Sequence, residues 1–311
     1  MTPARSGTLF GNRITALRWA RILRNLGHQA VILEAWANER CDALVALHAK
    51  RSAPSALKFA ALFPDRPLIV ALTGTDVYRD IHRSRRAQQA LALAWRIISL
   101  QPLAAFELAP GLRHKVRVIY QSASPTKPAP NRPKHFRVCV IGHLRPVKDP
   151  FRTAMAVRRV PGPSRIEVVH AGAAMNKSMA RRAQAEQLHN HRYRWLGAIS
   201  QARVRRLIAS SHLLVLSSKL EGGANVISEA LVDGTPVLAS RIPGSVGLLA
   251  ADYPGYFEVG DTRALQVLLQ KAEADKRFYR ELVSRCRVSA KQFTVAGEKR
   301  RWKTLLSELN M

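Results

Sequence analysis

The densest chemistry in the sequence lies in residues 217–240, SSKLEGGANVISEALVDGTPVLAS, where the carboxylates Glu221 and Glu229 stand eight residues apart. A strand ending at Ser217 and Ser218 runs into a loop carrying Glu221, Gly222, Gly223, Ala224 and Asn225, and a helix follows that holds Glu229. Two glycines before a helix let backbone N–H groups approach a phosphate or sugar oxygen at the positive end of the helix dipole. Glu229 falls one to two turns into that helix, so both carboxylates can face one ligand from the loop end. A carboxylate accepts two hydrogen bonds side by side, which suits vicinal hydroxyls. Glu221 alone reads better as a charge beside the N-cap that complements the helix dipole. The whole string, with its turn at Asp233, Gly234 and Thr235 and a new strand from Pro236, reads as a ligand site.

A second stretch, VCVIGHLRPVKDP at 138–150, leads a strand into Gly142 and a short loop with His143, Arg145 and Lys148. Pro150 sits where a helix should start. Basic side chains there make a pocket for a diphosphate, or simply a basic loop in a basic protein. At the N-terminus, SGTLFGNRITALRW places Gly7, Gly11, Asn12 and Arg13 before a helix, a weaker anion-binding candidate. ALHAKRS gathers His48, Lys50 and Arg51, and ALTGTDVYRD offers Thr73, Gly74, Thr75 and Asp76. Each of these alone is more often a turn than a site. Their shared position at the C-terminal edge of one parallel sheet is what groups them as a second site. No Asp-x-Asp pair is present, so the sequence asks for no metal and assigns no metal ligands.

These residues need strands and helices to hold them. Residues 30–33, 43–47, 68–72, 96–100 and 116–120 are short apolar runs that read as buried strands, and 14–26 is an amphipathic helix stopped by Gly27. The segment 122–133, SASPTKPAPNRP, holds four prolines and reads as a stiff linker. Alternation then resumes, with strands at 137–141, 165–171, 213–217 and 236–240. Helices fit at 149–160, 178–188, 201–209 and 224–232, and 262–311 is helical and charged. The expectation is α/β, with two Rossmann-like domains facing each other across a cleft. The domains are 1–124, a linker at 125–135, 136–292, and a C-terminal helix at 293–311 that returns to the N-terminal domain.

The chain has 311 residues and a formal charge of +29, with 47% hydrophobic residues. That composition belongs to a folded protein and excludes a disordered basic tail. The charge is spread over both halves. It is compatible with a solvated surface, with nucleic-acid binding, or with steering of anionic small molecules. Aromatics are 6% and scattered, and no helix-turn-helix or zinc motif appears, so no nucleic-acid partner is expected. Cys41, Cys139 and Cys286 are isolated, which suits a reducing compartment. With no long apolar run and no leader-like start, the expected location is the cytoplasm. The basic segment 80–93, with Arg83, Arg85 and Arg86, has few large apolar residues on one face, so no stable membrane association is expected.

The string from Glu221 through EALVDGTPVLAS resembles the nucleotide-sugar motif of GT-B glycosyltransferases of family four, over roughly residues 136–295. The resemblance implies that Glu229 contacts the nucleotide ribose, that Glu221 contacts the donor sugar, and that Gly142 to Lys148 forms the diphosphate motif. His143 stands at the family's usual Arg position, and Arg145 is the candidate for the missing cation. A narrower likeness spans nearly the whole chain. GNRITALRWARILRNLGH, LVALHAKRS, LIVALTGTDVYRDI, VIYQSA and GHLRPVKDP together are similar to the selenosugar synthases of selenoneine biosynthesis.

That likeness implies transfer of a hexose or N-acetylhexosamine from a UDP-sugar to selenophosphate, with no cofactor, and a partner enzyme that consumes the selenosugar. Arg145, Lys148 and Glu221 would be catalytic. Gly142, His143, Gly222, Gly223, Ala224, Asn225 and Glu229 would bind the donor. Gly11, Asn12, Arg13, His48, Lys50, Arg51, Thr73, Thr75 and Asp76 would bind the acceptor. The alternative is a family-four enzyme acting on a polysaccharide or lipid-linked hydroxyl. Such relatives have a full strand before a Thr-Pro-Ala string, which here stands at 2–4. Either the start is misassigned and that strand lies upstream, or the N-terminal sheet is short of most of its first strand.

Overall fold

The computed structural model describes residues 1–5, 7, 11–126 and 134–311. The proline-rich linker expected at 125–135 falls outside these at 127–133. Two compact units result, Met1–Ser122 with Val295–Met311, and Ala123–Thr294.

In the first unit the strands are β1 (Leu44–Leu47), β2 (Leu68–Leu72), β3 (Arg96–Ser99) and β4 (Val116–Val118), parallel and in that order. Their helices are α1 (Gly11–Arg24), α2 (Ala53–Leu62), α3 (Ile81–Arg83) and α4 (Arg85–Leu93). The apolar runs are continuous because both sheet faces are covered. Leu44, Ala46, Leu68, Val70 and Ile97 pack on the side of α2 and α4. Their alternates Leu47, Ile69, Ala71 and Ile98 pack on the side of α1.

Residues 30–33 are not a strand, contrary to their apolar pattern. A strand needs a neighbouring ladder, and here the backbone beside this segment is Met1 and Thr2. Thr2 N–H donates to Leu33 O at 2.8 Å. The Met1 amine donates to Val45 O at 2.7 Å, and Leu47 N–H donates to Met1 O at 3.1 Å. Val31 is left 77% exposed. Burial of the Met1 amine lowers its pKa to about 6.

The second unit holds β5 (Phe136–Ile141), β6 (Ile166–Ala171), β7 (Tyr193–Trp195), β8 (Leu213–Leu216), β9 (Val237–Ser240) and β10 (Tyr256–Phe257). All pairs are parallel, in the order β10-β9-β8-β5-β6-β7. Between them run α5 (Arg152–Val157), α6 (Lys177–His189), α7 (Gln201–Ser210), α8 (Asn225–Val232) and α9 (Pro243–Leu249), and α10 (Thr262–Ala274) and α11 (Lys276–Ala290) follow β10. The connections run outward in both directions from the β5–β8 pair. That pair is the topological switch point, where loops leave on opposite sides and open a crevice. Asp233 pins the start of the linker, accepting from Thr126 N–H at 2.8 Å and from Arg205 at 2.7 Å.

One helix expectation needs correction. The helix expected at 149–160 is shorter. A 3-10 turn at Pro146–Lys148 comes first, Asp149 takes a left-handed φ of 44°, and α5 begins at Arg152. Pro150 disfavours helical geometry at the residue before it. The stretch 262–311 is helical as expected, in three helices with α10 and α11 first. Asp275 ends α10 and caps α11, and its Oδ1 accepts from Arg277 and Phe278 N–H at 2.8 and 3.0 Å.

The last helix, α12 (Val295–Ser307), belongs to the first unit. Its Glu298 is fully buried and accepts from Trp19 Nε1 at 2.8 Å, Arg18 Nε at 3.3 Å and Ser122 N–H at 2.9 Å. Trp302 packs edge-on against Trp19 at 5.1 Å. Among the described residues, no helix is long and apolar enough to cross a membrane.

Candidate functional site

At the switch point of the second unit, the loop after β5 meets the loop after β8. Lys219 N–H donates to Val147 O at 2.8 Å, and Ser217 Oγ donates to Asp149 O at 2.9 Å. These stitches bring together two side chains 73 positions apart, because Lys148 Nζ ion-pairs with Glu221 Oε1. Ser218 Oγ also donates to Glu221 Oε1, at 2.6 Å. Glu221 is nearly buried, so its charge needs both partners. Arg145 is half-buried, and its guanidinium has no hydrogen-bond or ion-pair partner among the described residues.

Gly222 and Gly223 lead into α8, whose N-cap is Ala224. Ala224 has no side-chain acceptor to offer the first turn, which begins at Asn225. Glu229 lies in the same helix, nearly buried, and accepts from Gln201 Nε2 at 2.7 Å. Gln201 was not singled out from sequence, since 28 positions separate it from Glu229. Gly244 was also missed. A Cβ there would stand 2.0 Å from Glu221 O, so α9 presses its first turn against the Glu221 peptide. The Pro243–Gly244 pair after a strand was the available signal. Gly142 and His143 are tied to the end of β6, with Gly142 N–H donating to Ala171 O at 2.9 Å and Ala173 N–H to His143 Nδ1 at 3.1 Å.

The first unit builds a different cluster at the ends of β1 and β2. Asp76 is fully buried and accepts from Ala49 N–H at 2.9 Å and Gly74 N–H at 2.7 Å. Both oxygens therefore hold backbone, and Asp76 braces the two loops together. His48 is buried with a φ of 74°. Its Nδ1 accepts from Arg51 N–H at 3.4 Å, and its Nε2 faces Asp80 Oδ2 at 3.9 Å. Burial lowers the His48 pKa, against the pull of Asp76.

Asp80 was not among the sequence candidates, though it stands four positions after Asp76 in TGTDVYRD. It pairs with Lys50 at 3.5 Å and Arg79 at 3.2 Å. The loops expected to be cationic thus hold two nearly buried carboxylates that offset Lys50, Arg51 and Arg79. Thr73 Oγ1 is buried without a hydrogen-bond partner among the described residues, and Thr75 precedes the π-helical turn Asp76–Asp80 without capping it. Gly11, Asn12 and Arg13 form the first turn of α1. Among the described residues, no His, Cys, Asp and Glu side chains gather in a metal-holding group.

The family model for glycosyl transferases group 1 matches residues 125–293. By sequence, no curated protein matches the chain. Among solved structures, the fold is similar to Anabaena HepE in complex with UDP-glucose, with a TM-score of 0.71, 20% identity, and coverage of 86% of this chain and 79% of that one. Sucrose-phosphate synthase from Thermosynechococcus elongatus gives 0.70 and 18%, covering 86% and 73%. A glycosyltransferase from Rickettsia africae gives 0.67 and 12%, covering 98% and 83%. These likenesses establish the α/β fold of two parallel-sheet domains seen in GT-B enzymes.

Proposed function

The chain belongs to the group 1 glycosyl transferases, and from that premise we propose that it transfers a hexose or N-acetylhexosamine from a UDP-sugar to selenophosphate. The donor half of this reading rests on one observation above all. Lys148 and Glu221 meet beside Gly222, Gly223 and the start of α8, at the switch point of the second unit. As the anomeric C–O bond breaks, UDP leaves with the electron pair, and negative charge grows on the diphosphate. Lys148, Arg145 and the positive end of α8 stabilise that charge, so protein cations fill the role a metal takes elsewhere. Glu221 faces the sugar. Glu229, oriented by Gln201, faces the ribose hydroxyls.

The acceptor half rests on the strings shared with the selenosugar synthases, several of which form the strand-end loops of the first unit. Arg13, Lys50, Arg51 and the Thr73 and Thr75 hydroxyls suit a small selenium-bearing anion. Selenium is a soft nucleophile and is already anionic, so the step needs no general base. The Se–C bond forms as the C–O bond to UDP breaks, and the phosphoryl group stays on selenium until hydrolysis. The enzyme works in the cytoplasm and supplies the selenosugar to a consuming enzyme.

A second reading, transfer to a hydroxyl, is favoured by the nearly buried Asp80 carboxylate at the strand ends of the first unit, which can take a proton. UDP release measured with selenophosphate, and separately with hydroxyl acceptors, decides between the two. Release with selenophosphate, accompanied by a selenium-bearing sugar, supports the first reading. Release only with hydroxyl acceptors overturns it.

A further inference from the structure

One fully buried histidine touches the Gly142 loop. His170 stands in β6 opposite Val140 of β5 and is 0% exposed. Its Nε2 lies 3.0 Å from Gly142 O, and its Nδ1 lies 2.9 Å from the Tyr193 hydroxyl. A carbonyl oxygen only accepts, so Nε2 carries the proton and Nδ1 accepts from Tyr193. Burial keeps the ring neutral, lowering its pKa to about 4.

The Gly142 carbonyl sits in a closed socket. A Cβ on Gly172 would stand 1.9 Å from Gly142 O, so only glycine fits there. Trp195 Nε1 holds Gly172 O at 2.8 Å, and Leu144 N–H donates to Ala173 O at 2.9 Å. The peptide plane joining Gly142 to His143 is therefore fixed. In a trans peptide the C=O and the following N–H point in opposite directions. With Gly142 O drawn toward His170, the His143 N–H points away from it. A cavity of about 10 Å³ is lined by Gly142, Lys148, His170, Ser217 and Ser218, so His170 shares a wall with Lys148, the partner of Glu221.

We propose that His170 is a positioning residue for the donor diphosphate. By holding the Gly142 carbonyl inward, it sets the start of the loop that carries Arg145 and Lys148. This rests on the donor-site reading of Gly142 and Lys148.

The test is UDP binding to the full chain by calorimetry, alongside UDP-sugar KM, kcat and the melting midpoint. His170→Gln places an amide N–H where Nε2 stood and keeps the bond to Gly142 O. His170→Asn places its amide where Nδ1 stood, keeps Tyr193 and loses Gly142. Gly172→Ala displaces the same carbonyl by another route.

His170→Asn and Gly172→Ala are expected to weaken UDP binding about tenfold and raise the UDP-sugar KM similarly, with kcat changed less than about threefold. His170→Gln is expected to stay within about threefold of wild type. The proposal is overturned if His170→Asn binds UDP like wild type. It is equally overturned if the Gln and Asn variants lose binding alike in step with their melting midpoints, which would make His170 a packing residue. Absence of UDP binding by the wild-type chain overturns the donor reading and this proposal together.

Discussion

Each unit buries a carboxylate in a loop at the C-terminal end of its parallel sheet, Glu221 in one and Asp76 in the other, and holds the two in different ways. In the second unit, Glu221 and Glu229 are held by side chains, Lys148, Ser218 and Gln201. In the first, Asp76 is held by backbone, through Ala49 and Gly74 N–H. A side-chain partner can turn to a ligand, whereas a backbone partner fixes the shape of a loop. The comparison teaches that burial and charge alone do not separate a ligand-facing carboxylate from a brace; the identity of its partners does.

The largest expected effect breaks the side-chain pair. Lys148→Ala should lower the rate of UDP release by about 10³-fold, since it removes a cation from the developing diphosphate charge. Glu221→Gln should also depress turnover, by about 10²-fold. It should leave UDP binding equal or tighter, because Lys148 no longer divides its charge with a carboxylate. Weaker UDP binding by Glu221→Gln would show that the pair is structural.

Next in size is the pH dependence of the second unit. The His170 pKa falls from the ordinary 6.5 to about 4 in the folded protein, so the unfolded chain binds more protons between these values. Stability is therefore fully present above pH 6.5 and declines as pH falls toward 4, by up to about 3 kcal/mol from this group. Urea titrations of wild type and His170→Gln across that window isolate the contribution, because the variant lacks it while His48 and Met1 titrate in both.

Smaller again is the brace. Asp76→Asn leaves one backbone N–H facing an amide N–H. It should destabilise the protein by about 2 kcal/mol and leave UDP binding unchanged, as read by calorimetry and melting. The smallest effect belongs to Lys50→Ala. Its ion pair with Asp80 is half-exposed, so stability should change by about 0–1 kcal/mol. The acceptor KM should rise more than the donor KM in steady-state assays. The opposite split would move Lys50 out of the acceptor site.

Most strands were legible because a strand buried on both faces is apolar at every position, as in LIVAL of β2. The same rule fails at 30–33, where the apolar pattern is present but the described backbone forms no strand ladder. β7 and β10 are short edge strands without a sufficient apolar run. Glu221, Glu229, Gly142 and Lys148 stand out in the sequence because each sits in a local string with a glycine and a helix start, and the fold brings Lys148 and Glu221 together. Gln201 and His170 act across 28 positions each, on Glu229 and Gly142, and local patterns carry no such pairing. A lone histidine in the apolar β6 reads as core, which by burial it is.

The most direct measurement is an equilibrium titration of UDP into wild type, Lys148→Ala and Asp76→Asn. Wild type and Asp76→Asn should bind saturably with the same affinity, and Lys148→Ala at least about tenfold more weakly. No binding by wild type, or loss of binding in Asp76→Asn with Lys148→Ala unaffected, would contradict the assignment of the nucleotide to the second unit.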